Sequence, residues 1–147
     1  EAHPLAVTVW LMAEGIKKLR AVDAENRELD LWRGMKNLSA TAEFEANGGT
    51  DNAPMSCTSD PIVAVRYAMS DHSLLFKVAA KSFMNRGADI AFLSAFPGEK
   101  EFVYPPLTYL HPTGRREVVT VEENEFGEGT AKTVITVIEV EPHVSSG

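Results

Sequence analysis

Phe96-Pro97-Gly98-Glu99-Lys100-Glu101-Phe102-Val103-Tyr104-Pro105-Pro106 carries two carboxylates, two residues apart, at the mouth of an apolar run. Pro97-Gly98 predicts a turn. Glu101-Phe102-Val103-Tyr104 predicts a strand of aromatic and β-branched residues, closed by two prolines. Alternate residues of a strand point to one face. Glu99, from the turn, and Glu101, from the first strand position, are therefore expected to address one pocket. Two carboxylates in different surroundings can divide the work, one stabilising charge and the other acting as acid, base or orienter. Taken alone, Glu99-Lys100-Glu101 also reads as a solvated charged turn, and the residues upstream decide between the two.

Working outward, Leu29-Asp30-Leu31-Trp32-Arg33-Gly34-Met35 alternates, so Leu29, Leu31 and Arg33 share one face of a short strand. An arginine on an apolar strand face is costly unless it meets an anion, either a ligand or a structural carboxylate. Pro54-Met55-Ser56-Cys57-Thr58 is short and extended. Asp60 as N-cap with Pro61 at the first helical position then opens a helix. Ile62 to Met69 is nearly all apolar and is expected to pack in the interior. A strand ending in Ser56 and Thr58 and feeding a helix places small hydroxyls where a ligand can approach; both also fit a helix-entry hydrogen bond to backbone.

The rest of the chain frames these segments. Residues 5–22 space Leu5, Val9, Met12, Ile16 and Leu19 as an amphipathic helix, with Lys17, Lys18 and Arg20 toward its C-terminus. Residues 23–30 read as a polar connection, 39–47 as a short helix, and 47–54 as a surface loop. Residues 73–80 form a strand and 81–87 a turn, whereas 88–94 fit either a strand or an irregular segment. Residues 107–110 look extended. Residues 117–122 and 130–141 form a terminal hairpin joined by the Glu/Gly connection at 123–129. Helices early and strands late predict an α+β fold with helices covering one side of the sheet.

Composition sets limits. At 147 residues, with 44% apolar and 24% charged, the chain fits one domain with a real core. A net charge of −7 argues against a nucleic-acid backbone binder. The lone Cys57 excludes an internal disulfide, and no Cys/His spacing suits zinc. His3, His72, His111 and His143 form no ligand spacing. No apolar run approaches the roughly 18 residues of a membrane span. The N-terminus, Glu1-Ala2-His3-Pro4, has no initiator Met and no signal-peptide pattern, so the chain reads as a piece of something longer, with no compartment indicated.

Arg33-Gly34 on a first strand, Ser56-Cys57-Thr58 on a second and Glu99-Lys100-Glu101 after a turn occur in that order. This pattern resembles the R-S-E class of ADP-ribosyltransferases, the arginine-specific, cholera-toxin-like mono-ADP-ribosyltransferases. The similarity runs from about Leu29 to Pro142, and its flanks match: Leu31-Trp32-Arg33-Gly34-Met35, Met55-Ser56-Cys57-Thr58-Ser59-Asp60 before a helix, and Glu101-Phe102-Val103-Tyr104-Pro105-Pro106. The resemblance implies two roughly perpendicular, mostly antiparallel sheets around a cleft for NAD⁺, with N-terminal helices and no metal. It implies that Arg33 contacts the NAD⁺ phosphates and that the Gly34 backbone holds the nicotinamide carboxamide. Ser56 would orient the catalytic Glu101, Thr58 would support the strand, and Glu99 would serve an arginine acceptor. Cys57 stands where threonine is commoner and reads as packing, since by alternation it faces away from the site. The aromatic lining the nicotinamide pocket has two candidates, Phe83 and Phe96, each of which also fits a core role. The same pocket could instead run as a NAD⁺ glycohydrolase or survive as a non-catalytic NAD⁺- or partner-binding module. The other expected partner is a protein arginine, with self-modification at Arg86, Arg115 or Arg116 an added expectation.

Overall fold

A computed structural model describes residues 5–22, 28–124 and 130–144. Residues 23–27 of the first connection and 125–129 of the last therefore lie outside the described residues. Helices α1 (Ala6–Val22), α2 (Ala42–Asn47) and α3 (Pro61–Ala68) alternate with strands β1 (Leu29–Lys36), β2 (Gly49–Thr50), β3 (Met55–Thr58) and β4 (Ser73–Ala80). Strands β5 (Ala88–Asp89), β6 (Glu101–Tyr104), β7 (Tyr109–Asn124) and β8 (Thr130–His143) complete the chain. Helices and mostly antiparallel strands are what an α+β reading expects. One extended hairpin, β7–β8, takes in both the stretch expected near residue 107 and the terminal strands, with a bulge between Pro112 and Arg116.

The two sheets implied by the resemblance do not appear as separate hydrogen-bonded units. The eight strands join in the order β2-β7-β8-β4-β1-β3-β6-β5, and all neighbours are antiparallel except β4 and β8. The ladder is uneven, however. Every residue of β1 pairs with β4, from Leu29↔Ala80 to Lys36↔Ser73, but β1 meets β3 only at Trp32↔Thr58. The sheet is thus thinnest in hydrogen bonds between the arginine strand and the serine strand.

Side-chain alternation fills both faces. On β4, Leu74, Phe76 and Val78 join Leu31, Met55, Phe102 and Tyr104 in the main core, while Leu75 on the other face packs with Ala64 of α3 and Ile135. Thr41 caps α2 by accepting from the Phe44 amide at 3.1 Å, and Phe44 stacks on Phe76 at 5.2 Å. Asp60 caps α3 as expected, accepting from the Ile62 amide at 3.0 Å. The interior position expected for α3 is only half realised. Ala64 and Ala68 are buried, but Ile62 and Tyr67 are 62% and 53% exposed, because one face alone meets β1. The periodic face expected on α1 is likewise not buried along its first half, where Leu5, Val9 and Met12 are exposed. Val7, Trp10 and Leu11 make that half apolar all round, so periodicity defines no preferred side.

Gly34 makes the β1–α3 contact possible. A Cβ there would lie 1.9 Å from the Ala64 carbonyl oxygen and 2.9 Å from the Ala68 amide nitrogen. Both are helix backbone and cannot swing away. Gly34→Ala is therefore expected to push α3 off β1 and cost about 1–3 kcal/mol, several degrees in melting temperature. An unchanged melting curve would mean that the helix seats elsewhere.

Candidate active site

Arg33, Ser56 and Glu101 come from three neighbouring strands and are linked in series. Arg33 Nη1 donates to the Ser56 carbonyl oxygen at 2.9 Å, tying β1 to β3 where the ladder has a single register pair. Ser56 stands opposite Val103, so Glu101, two residues earlier, is its diagonal neighbour on the same face. The Ser56 hydroxyl accordingly donates a short hydrogen bond to Glu101 Oε1.

Glu99 reaches the same pocket by a different route from the one expected. Strand alternation does not apply, because Glu99 ends a 3₁₀ turn (Pro97–Glu99) and Lys100 lies at φ 49°, in the left-handed region. That kink is held from both sides. The Thr58 hydroxyl donates to the Glu99 carbonyl at 2.6 Å and accepts from the Asp60 amide at 3.0 Å. The Ser59 amide donates to the Lys100 carbonyl at 3.3 Å. Thr58 thus fastens strand, turn and helix start together.

Tyr67, which the sequence reading passed over, donates its phenol to Glu99 Oε1 at 3.0 Å. That hydrogen bond, then the charge of Glu99, pushes the Tyr67 pKa above its ordinary value, and the charge of Glu101 adds to the shift. The shift extends the phenol's donor form further into the alkaline range. A signal for it was present: Val63, Ala64 and Tyr67 share a helix face beside the small residue Gly34.

These residues enclose a cavity of about 240 Å³, lined by Arg33, Gly34, Ser56, Thr58, Glu99 and Glu101 together with Trp32, Cys57, Val63, Ala64 and Tyr67. All six positions singled out in the sequence lie on it. A second, larger hollow of about 710 Å³ shares Val63, Tyr67 and Glu99 with the first, and adds Lys36, Arg66 and the Ala95–Gly98 turn. Glu101 faces only the small cavity, whereas Glu99 stands on both. Of the two aromatic candidates, Phe96 is 68% exposed and borders the larger hollow, and the Phe83 side chain lies outside the described residues. The aromatics on the small cavity are Trp32 and Tyr67.

Cys57 packs in the main core, as expected, but does not wholly face away from the site, since it also lines the small cavity. Burial pushes its thiol up to about 12 against the opposing charge of Arg33. Native protein is therefore expected to resist thiol reagents at pH 8 and to react once denatured. Because the folded pKa is raised, stability is complete below about pH 9 and falls as pH rises toward 12, where the unfolded thiol ionises and the native one does not. Cys57→Ala should flatten that part of an alkaline denaturation profile; an unaltered slope would argue against so buried a thiol. Among the arginines expected as self-modification targets, Arg115 and Arg116 are exposed, but Arg86 is 1% exposed and is not available. Asn85-Arg86-Gly87 looks like a surface turn, yet Arg86 is buried.

No protein-family model matches the chain, and no curated protein sequence matches it significantly. Solved structures do. The ADP-ribosyltransferase HopU1 of Pseudomonas syringae pv. tomato superposes with a TM-score of 0.57 at 16% identity, over 95% of this chain and 55% of its own. The ADP-ribosyltransferase Vis of Vibrio splendidus, in complex with agmatine, gives 0.50 at 18% identity over 99% of this chain and 65% of its own. The enzymatic component C2-I of the Clostridium botulinum C2 toxin gives 0.56 at 12% identity over 92% and 35%. The chain spans less than two thirds of each of these proteins. On these likenesses this chain has the fold of the ADP-ribosyltransferases.

Proposed function

We propose that the chain is a mono-ADP-ribosyltransferase that moves ADP-ribose from NAD⁺ to the guanidinium of a protein arginine. The observation that carries this reading is the linked set Arg33–Ser56–Glu101 on one cavity, with Glu99 on the wall shared with the larger hollow. The donor set suits the dinucleotide. Arg33 spends one N–H on the Ser56 carbonyl, and a guanidinium fork has further donors for a diphosphate, which it matches better than an ammonium does.

Bound NAD⁺ supplies a ribose–nicotinamide bond whose cleavage builds positive charge on the ribose and releases a neutral leaving group, as in other glycosyl transfers. Arg33 holds the phosphates, and the Gly34 backbone offers its peptide groups to the carboxamide. Glu101, ionised and aligned by the Ser56 hydroxyl, lies where the positive charge develops and stabilises it. Thr58 keeps the turn seated. Glu99 orients the incoming guanidinium, which is protonated and a poor nucleophile at neutral pH, and takes its proton as the new carbon–nitrogen bond forms. The structure of Vis with agmatine, a guanidino compound, adds support for a guanidino acceptor here.

The test is nicotinamide release from NAD⁺ with and without agmatine. Release that agmatine accelerates, with an ADP-ribosyl-agmatine product, is expected. Release without that product would turn the reading into a NAD⁺ glycohydrolase. No release from folded protein that binds NAD⁺ would leave a binding module.

A further inference from the structure

The larger hollow is lined by two cations, Lys36 and Arg66. Lys17, Lys77, Lys81, Arg115, Arg116 and Lys132 all stand in ion pairs. Lys36, at the end of β1, and Arg66, on α3, are exposed and have no ion pair or hydrogen bond among the described residues. Both line the hollow that shares Glu99 with the smaller cavity, and Val63, Phe96 and Pro97 line it as well. In a chain of net charge −7, this hollow brings two cations together with apolar side chains and one carboxylate.

We propose that this hollow selects acceptor arginines that sit beside carboxylates, in a protein segment that is acidic and partly apolar. The inference rests on the transferase reading. The guanidinium of the acceptor goes to Glu99, and flanking Asp or Glu side chains go to Lys36 and Arg66. An apolar neighbour covers Phe96 and Pro97. A nucleic acid fits less well, since the whole chain repels polyanions and nucleotides carry no guanidinium for Glu99. Charge complementarity at a site of this kind sets choice of partner more than raw affinity.

Three peptides test it, each with one central arginine flanked by Asp/Glu, by Ser/Gln or by Lys, compared as kcat/KM relative to agmatine in the same preparation. The acidic peptide should exceed the neutral one by about fivefold, with the basic peptide lowest, as expected of two exposed charge pairs. The Lys36→Glu/Arg66→Glu double variant should reverse the order. Raising ionic strength from about 0.02 to 0.5 M should erase the preference in the unaltered protein, a readout that needs no variant. Modification of agmatine with no ranking among peptides would overturn this inference and leave the transferase reading standing. No modification of agmatine at all would overturn the transferase reading itself. A variant that raises KM for NAD⁺ with agmatine, without changing the peptide order, would assign the two cations to the donor site and overturn the inference.

Discussion

Glu101→Gln is expected to cut nicotinamide release about a thousandfold, with or without an acceptor. Glutamine keeps the shape of the side chain and can still accept the Ser56 hydroxyl hydrogen bond through its carbonyl. What it removes is the negative charge. If Glu101 stabilises positive charge on the ribose, that loss falls on the bond-breaking step, which hydrolysis and transfer share. Binding of NAD⁺ should change little, because Arg33 and its anchor on the Ser56 carbonyl are untouched. The melting temperature should hold, since Glu101 is only partly buried and keeps its place opposite Thr58. Initial rates of nicotinamide release together with a NAD⁺ titration check all three points. A loss smaller than about tenfold would take Glu101 out of the bond-breaking step.

Much of the site was legible because short-range signals were consistent. The Asp60-Pro61 helix start, the strand through Arg33 and the Pro97-Gly98 turn each depend on a few residues, and all three recur in the structure. The order of the sheet was not legible. The parallel pairing of β4 with β8, and the single pair between β1 and β3, depend on partners remote in sequence that no local pattern names.

The two glutamates show a subtler case. They do share a pocket, yet the left-handed backbone at Lys100 brings Glu99 there, not strand alternation. A lysine carries no local mark of that conformation, as a glycine would. Tyr67 escaped for the opposite reason. An apolar helix suggested full burial, so a phenol on its open side was not weighed as a partner for Glu99. Arg86, between Asn85 and Gly87, had the local look of a turn, and tertiary packing that no local pattern names buries it.

The second large effect concerns Glu99, and its value lies in being selective. Glu99→Gln should lower transfer to agmatine or to an arginine peptide about a hundredfold, while release of nicotinamide to water falls only a fewfold. Glu99 borders both hollows, and its Oε1 accepts the Tyr67 phenol at 3.0 Å, so one carboxylate oxygen is fixed and the other is left to meet a guanidinium. An amide in its place can still accept one hydrogen bond, but it cannot take a proton from a nitrogen that is forming a bond. Water needs no such help on the side of Glu99 if the ribose is already cationic against Glu101. The ratio of transfer to hydrolysis, measured on one sample with labelled NAD⁺, separates the two carboxylates cleanly. Tyr67→Phe should shift that ratio the same way by a smaller factor, because it frees the Glu99 side chain without altering its charge. An equal fall in both rates for Glu99→Gln would show that the two glutamates act as one unit on bond breaking, and the division of labour drawn from the shared wall would fail.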